Sequence, residues 1–298
     1  MTPHRRQQWA VALMFVTPAC WSVNYLVARS ASHTIAPHML ALGRWLLAGA
    51  LMAAMHWREI ASHGGAVRKE AGRFLVLGAL GMWICGAFVY IAGRTTTATN
   101  IGLIYAISPV LVALFSTLVL KERIGIAQIA GTAVALAGFF HIVLKGEWGG
   151  LSAVELTPGD WWIFVAAISW AAYTLLLKAW PTAFGPAARL ALTSLGGALV
   201  ILPFAIAEAV WFMSSELSWQ NAGYIATTAI IPGVGAYLAY SFMLRELGAS
   251  RVAVVLYLGP IYGALMGWLV LGESIRPFHW AGAALILPGI FLATRKGK

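Results

Sequence analysis

The chain has 298 residues, 60% of them hydrophobic and only 10% charged, whereas a soluble domain carries about 25% charged residues. A water-soluble fold of this length has no means of covering so much apolar surface, so the lipid bilayer is the expected solvent. The net charge of +10 would point to nucleic acid in a soluble protein, but here the basic residues sit between apolar runs. They read as topology signals, and a nucleic-acid-binding face is not expected.

In chain order, ten apolar runs of spanning length stand out, at 10–28, 37–55, 74–93, 100–120, 125–144, 161–180, 186–207, 223–244, 252–271 and 278–294. Each is about 20 residues, or ~30 Å as a helix. The first follows His4-Arg5-Arg6 and resembles a signal peptide, but it lacks a convincing cleavage site and reads as a first helix. Continuous runs exclude the ten-residue alternations of a β-barrel. Cys20 and Cys85 fall inside apolar runs, so neither a disulfide nor a zinc site is expected. The connections are short, with tight hairpins at 121–124 and 272–277.

With the N-terminus inside, the inner segments hold fifteen Lys and Arg and the outer segments four, Arg44 being within a span. Both termini are therefore expected in the cytoplasm.

The stretch 108–140 occurs twice. Shifted by 151 positions it meets 259–291 without a gap, with 14 identities over 33 positions, among them Pro109 with Pro260 and Glu122 with Glu273. Weaker echoes pair Trp21 with Trp170, Arg29 with Lys178 and Tyr90 with Tyr240. Two units, 1–149 and 150–298, would each hold five spans. An odd number inverts the second relative to the first, and such inverted repeats are a hallmark of transporters.

A carrier of this kind needs a polar or aromatic pocket at the repeat interface and helices that can bend. Pro109 and Pro260 lie within matched helices, where each frees a backbone carbonyl; a cavity-lining break and a kink closed by a neighbour are the two readings. Trp21 and Asn24 share a face of the first helix, and Trp170 and Tyr173 are their counterparts. Asn24 is deep in a span, where its amide must face protein or water, as a pocket group or an interhelical bond. Trp9, Trp57, Trp161 and Trp180 suit an interfacial belt, whereas Trp21 and Trp170 lie too deep for one. The other mid-span aromatics are Trp83, Tyr90, Tyr105, Tyr237, Tyr240, Tyr257 and Tyr262; together they suit flat or amphipathic solutes, and singly each could be plain core. Ser108 precedes the first proline of the matched pair.

Arg44 is the one formally charged side chain well within a span. Exposing it to lipid would cost at least ~2.5–3.5 kcal/mol. It must face the bundle interior, bonded to carbonyls or to a substrate carboxylate. No carboxylate occupies a span interior, so a buried acidic proton relay is not expected. Gly259, Gly263 and Gly267 form a small-residue stripe suited to close helix packing. His38 and His141, near helix ends, are expected at the surface. HExxH, GxSxG and paired aspartates are missing from the spans, so neither an enzyme nor a metal or cofactor site is expected.

Pro109-x8-Leu118-Val119-Leu120-Lys121-Glu122-Arg123, then Gln128-x2-Gly131-x6-Gly138, the second copy ending Leu271-Gly272-Glu273, and Leu42-Gly43-Arg44-Trp45 together resemble the drug/metabolite transporter superfamily, EamA group. Within it the chain is most similar to the bacterial YddG-type exporters of aromatic and other amino acids. The resemblance implies an all-α integral membrane protein of ten helices in a 5+5 inverted repeat, with a central cavity. It implies an inner-membrane exporter of small metabolites, amino acids first; drugs, sugars or nucleotide conjugates are the alternative. The sequence carries no sign of the oligomeric state.

Overall fold

Lipid offers the backbone no hydrogen-bond partner, so apolar runs of this length fold as helices. A computed structural model describes residues 2–31, 34–92, 95, 104–105, 107–149, 157–212, 215, 218–259, 261–262, 265, 268–269 and 275–294. Among these, every regular element is helical: α1 (Pro3–Ala31), α2 (Pro37–Met55), the short α3 (Trp57–Ser62), α4 (Gly64–Ala92), α5 (Ile107–Leu120), α6 (Ile126–Val143), α7 (Pro158–Ala179), α8 (Pro186–Trp211), α9 (Trp219–Leu247), α10 (Ala249–Leu258) and α11 (Pro277–Thr294). Seven of them, α2, α4, α6, α7, α8, α9 and α11, are long and apolar enough to cross a membrane. α5 and α10 are shorter apolar helices. α1, with 29 residues, is long enough to cross but carries Arg5 and Arg6 in its first turn.

Several helices outrun the apolar runs that announce them. The run at 74–93 belongs to a helix that begins at Gly64, and the run at 223–244 to one that begins at Trp219. Hydropathy marks only the apolar part, while the backbone ladder continues into polar surroundings at no cost. Pro37, Pro158, Pro186 and Pro277 each open a helix, where the fixed φ is preorganised and the missing N–H is not needed. Acidic side chains hold two such starts: Asp160 accepts the Thr157 N–H at 2.5 Å, and Glu59 accepts the Gly185 N–H at 2.6 Å ahead of α8.

The tightest packing is between α6 and α11. A Cβ on Gly131 would fall 2.5 Å from the Gly289 carbonyl oxygen, and one on Gly138 would fall 2.7 Å from that of Gly282. The pairing is crossed: Gly131 and Gly282 are sequence counterparts, as are Gly138 and Gly289, yet each meets the other's counterpart. α8 packs closely across α4, where a Cβ on Gly78 would come 2.6 Å from Gly197 Cα. Of the expected stripe, Gly263 and Gly267 lie outside the described residues, and a Cβ on Gly259 would meet nothing within 4 Å among the described ones. Small residues permit close approach only where a facing helix supplies matching ones, and α6 and α11 each carry Gly-x6-Gly.

Two helices change their winding midway. α4 runs as a π-helix over Ala79–Ile84 and α9 over Ala229–Gly235, positions 150 apart. π-turns widen the helix and disturb its regular hydrogen bonding, and they cluster at functional sites. Pro109 is buried in the first described turn of α5, Pro260 lies outside the described residues, and α10 tightens to a 3-10 helix over Val254–Leu258 just ahead of it.

Candidate functional site

α1, α7 and α9 bring their aromatic side chains together, and α2 closes the group. Trp21 meets the edge of Trp170 at 5.4 Å between ring centroids and lies 5.6 Å from Tyr240. Trp170 lies 5.0 Å from Tyr240, 5.5 Å from Tyr173 and 5.9 Å from Tyr237. Trp45 meets the edge of Tyr237 at 4.9 Å. These are offset or edge-to-face contacts, the favoured geometry for aromatic pairs. Trp170, Tyr173, Tyr237 and Tyr240 are buried and Trp21 half-buried.

The π-turn of α4 feeds this cluster. Its consecutive carbonyls at Leu80, Gly81 and Met82 accept the Ser169 hydroxyl at 3.0 Å, the Tyr237 hydroxyl at 2.8 Å and the Trp45 indole N–H at 3.1 Å. Tyr240 shares a 2.9 Å hydrogen bond with Thr174. Gly81 must lack a side chain because a Cβ there would lie 2.6 Å from the Tyr173 ring.

Next to the rings stands Arg44, 4% exposed. Its Nη1 donates to Asn24 Oδ1 at 2.9 Å and, at a long 3.5 Å, to the Tyr90 hydroxyl, which itself donates to Asn24 at 2.6 Å. The guanidinium carbon is 4.4 Å from the Trp45 ring centroid, a cation–π distance. Among the described residues no carboxylate reaches Arg44, and its Nε–H has no acceptor. The charge is solvated by one amide, one phenol and one ring face.

Of the residues singled out from sequence, Trp21, Asn24, Arg44, Tyr90, Trp170, Tyr173, Tyr237 and Tyr240 come together here. Trp83 stands apart, stacked on Phe204 at 4.2 Å. Ser108 is buried and donates to the Ala167 carbonyl at 3.3 Å. Tyr257 is buried against Phe139, and Tyr105 is half-buried beside Cys85. Trp45, Ser169, Thr174 and the π-turn carbonyls were not singled out; Gly81 and Gly86 within an apolar run were the available signal. His38 is not on the surface: its backbone N–H and Nδ1 meet Glu208 at 2.8 and 3.2 Å, because α8 packs alongside α2. Trp9, Trp57 and Trp161 do project outward, while Trp180 is half-buried over Arg73.

At one end of the bundle Glu122, in the α5–α6 hairpin, gathers four donors. Lys178 Nζ lies at 2.5 Å, the Ser250 hydroxyl at 2.8 Å, and the N–H groups of Ala249 and Ser250 at 3.1 and 3.2 Å. Burial alone would raise the Glu122 pKa; the Lys178 bond and the donors of Ala249 and Ser250 outweigh it and hold the carboxyl below the usual range. The Ser116 and Ser250 hydroxyls also meet. The hairpin is thereby tied to the end of α7 and the start of α10.

Together these features define a multi-pass helical membrane protein with a buried cation set among aromatic rings. The chain belongs to the EamA-like transporter family, whose model matches it twice, over residues 8–144 and 157–295. It is 28% identical to an "Uncharacterized transporter" of Archaeoglobus fulgidus, over 95% of this chain and 96% of that one. It is 26% identical to "Uncharacterized transporter YyaM" of Bacillus subtilis, over 76% and 74%. It is 24% identical to the "Probable terminal-alkyne amino-acid exporter" of Streptantibioticus cattleyicolor, over 97% and 93%. One crystal structure shares the fold with a TM-score of 0.75 at 19% identity, covering 96% of this chain and 97% of that one.

Proposed function

We propose that this protein exports small metabolites, chiefly aromatic and other neutral amino acids, across the bacterial inner membrane by alternating access. In this reading residues 1–149 and 150–298 are five-helix copies inverted in the bilayer, with ten crossings and both termini cytoplasmic. The crossed glycine pairs of α6 and α11 support it, since a two-fold axis makes each residue meet its partner's counterpart. The matched π-turns and the twofold family match support it as well.

The observation that carries the substrate reading is Arg44 with no carboxylate partner among the described residues, beside the cluster of Trp21, Trp170, Tyr237 and Tyr240. A zwitterion with a flat side chain supplies what this site lacks: a carboxylate for the guanidinium and a ring for the aromatic cluster. One relative's printed name, an amino-acid exporter, points the same way. Counterflow of labelled amino acids in proteoliposomes is the test. Uptake competed by aromatic amino acids is expected; silence across amino acids, with transport of cationic drugs instead, would overturn the reading.

A further inference from the structure

Beside the Glu122–Lys178 pair lies an open groove of about 330 Å³. It sits where the α5–α6 hairpin meets the ends of α7 and α9 and the start of α10, at the end of the bundle that the Lys and Arg bias assigns to the cytoplasm. Arg123, Lys178, Arg245 and Arg251 line it, with Glu122 and Glu246. Both carboxylates are engaged. Glu122 holds Lys178 and the start of α10, and Glu246 pairs with Arg6 at 3.1 Å. Arg123, Arg245 and Arg251 have no ion-pair partner among the described residues.

A second observation comes from the wall of the groove. Gln128 is only 6% exposed, and its Nε2 has no acceptor among the described residues. A buried donor left without an acceptor is costly, so the amide calls for an acceptor that the described residues do not supply. Three unpaired guanidinium groups converging with a buried N–H donor match a multi-oxygen anion; the planar arginine fork suits phosphate in particular.

We propose that this groove binds a phosphate group, the headgroup phosphodiester of an anionic phospholipid or a free phosphate, clamped by Arg123, Arg245 and Arg251 with Gln128 beneath. The site is separate from the central one and stands whether or not amino acids are the substrate. An occupant would lie against the hairpin that Glu122 ties to α7 and α10, so binding stiffens that junction.

The test is thermal unfolding of the purified full-length protein in a neutral detergent, titrated with phosphatidylglycerol, phosphatidylcholine or inorganic phosphate. Phosphatidylglycerol is expected to raise Tm and phosphatidylcholine not to. Losing two of the clamping charges, in Arg123→Gln/Arg251→Gln, should raise the half-saturating lipid concentration roughly tenfold. Gln128→Leu, which removes the orphan donor without leaving a hole, should also weaken binding. Arg68→Gln/Lys69→Gln, an equal change of charge on α4, is the control and should change little. If inorganic phosphate reproduces the shift and competes with the lipid, the ligand is free phosphate; if it does neither, the ligand is the lipid. Equal shifts with both lipids and none with phosphate, or equal losses in the groove and control variants, would overturn the proposal.

Discussion

Arg44 is kept at a cost. A guanidinium at 4% exposure, with no carboxylate partner among the described residues, is a poor contributor to stability, since placing such a charge in the membrane costs at least ~2.5–3.5 kcal/mol. Without it, Asn24 and Tyr90 still satisfy each other at 2.6 Å. Arg44→Gln is therefore expected to hold or raise the unfolding temperature while lowering transport at least tenfold; thermal unfolding and counterflow on one preparation check both. Trp170→Ala removes a ring in contact with four others, whereas Trp161 is 64% exposed. Trp170→Ala should impair transport far more than Trp161→Ala, and equal effects would remove the cluster from the site. Glu122 carries a pH prediction. Its folded pKa is depressed, so its stabilising contribution is complete above the unfolded carboxylate pKa and disappears as pH falls through the folded value. The Tm difference between wild type and Glu122→Gln should be flat near neutrality and shrink only below about pH 4.

At the scale of the element, crossed glycines join α6 to α11, and the π-turns lie in α4 and α9. Gly138→Val and Gly282→Val each push a side chain into a facing backbone carbonyl, 2.7 and 2.8 Å from where a Cβ would sit, and overpacking of this kind costs about 1–3 kcal/mol. The two sites share one contact, so the double variant should cost less than the sum of the single ones. Gly259→Ala meets nothing within 4 Å among the described residues and should be nearly neutral. Unfolding measurements on the four variants check this. The glycine pattern shows that helices approach closely, but the partner of each glycine depends on three-dimensional placement. The π-turns are hidden for a related reason: the Leu80, Gly81 and Met82 carbonyls are satisfied by Ser169, Tyr237 and Trp45, donors on three other helices. Proline at 109 or 260 announces a local break; a π-turn is set by tertiary acceptance of the backbone groups it frees.

For the molecule as a whole, membrane residence, helical class and most members of the central aromatic cluster are legible in the sequence. Composition decides the first two, and Asn24, Arg44 and the deep tryptophans stand out because such groups are costly in an apolar run. The gathering of Trp21 with Trp170 follows the internal repeat, whereas Trp83 looks similar in sequence and is drawn to Phe204 instead. The basic groove is invisible along the chain because Arg123 lies more than a hundred residues before Arg245 and Arg251. In the proposed transport cycle the buried charge of Arg44, which has no ion-pair partner among the described residues, is what anchors the substrate. Equilibrium binding of radiolabelled tryptophan and tryptamine, identical but for the carboxylate, to purified wild type and Arg44→Gln tests it most directly. Wild type should bind tryptophan at least tenfold more tightly than tryptamine, and Arg44→Gln should erase that preference; equal binding of both ligands to wild type, or a preference that survives in Arg44→Gln, would contradict it.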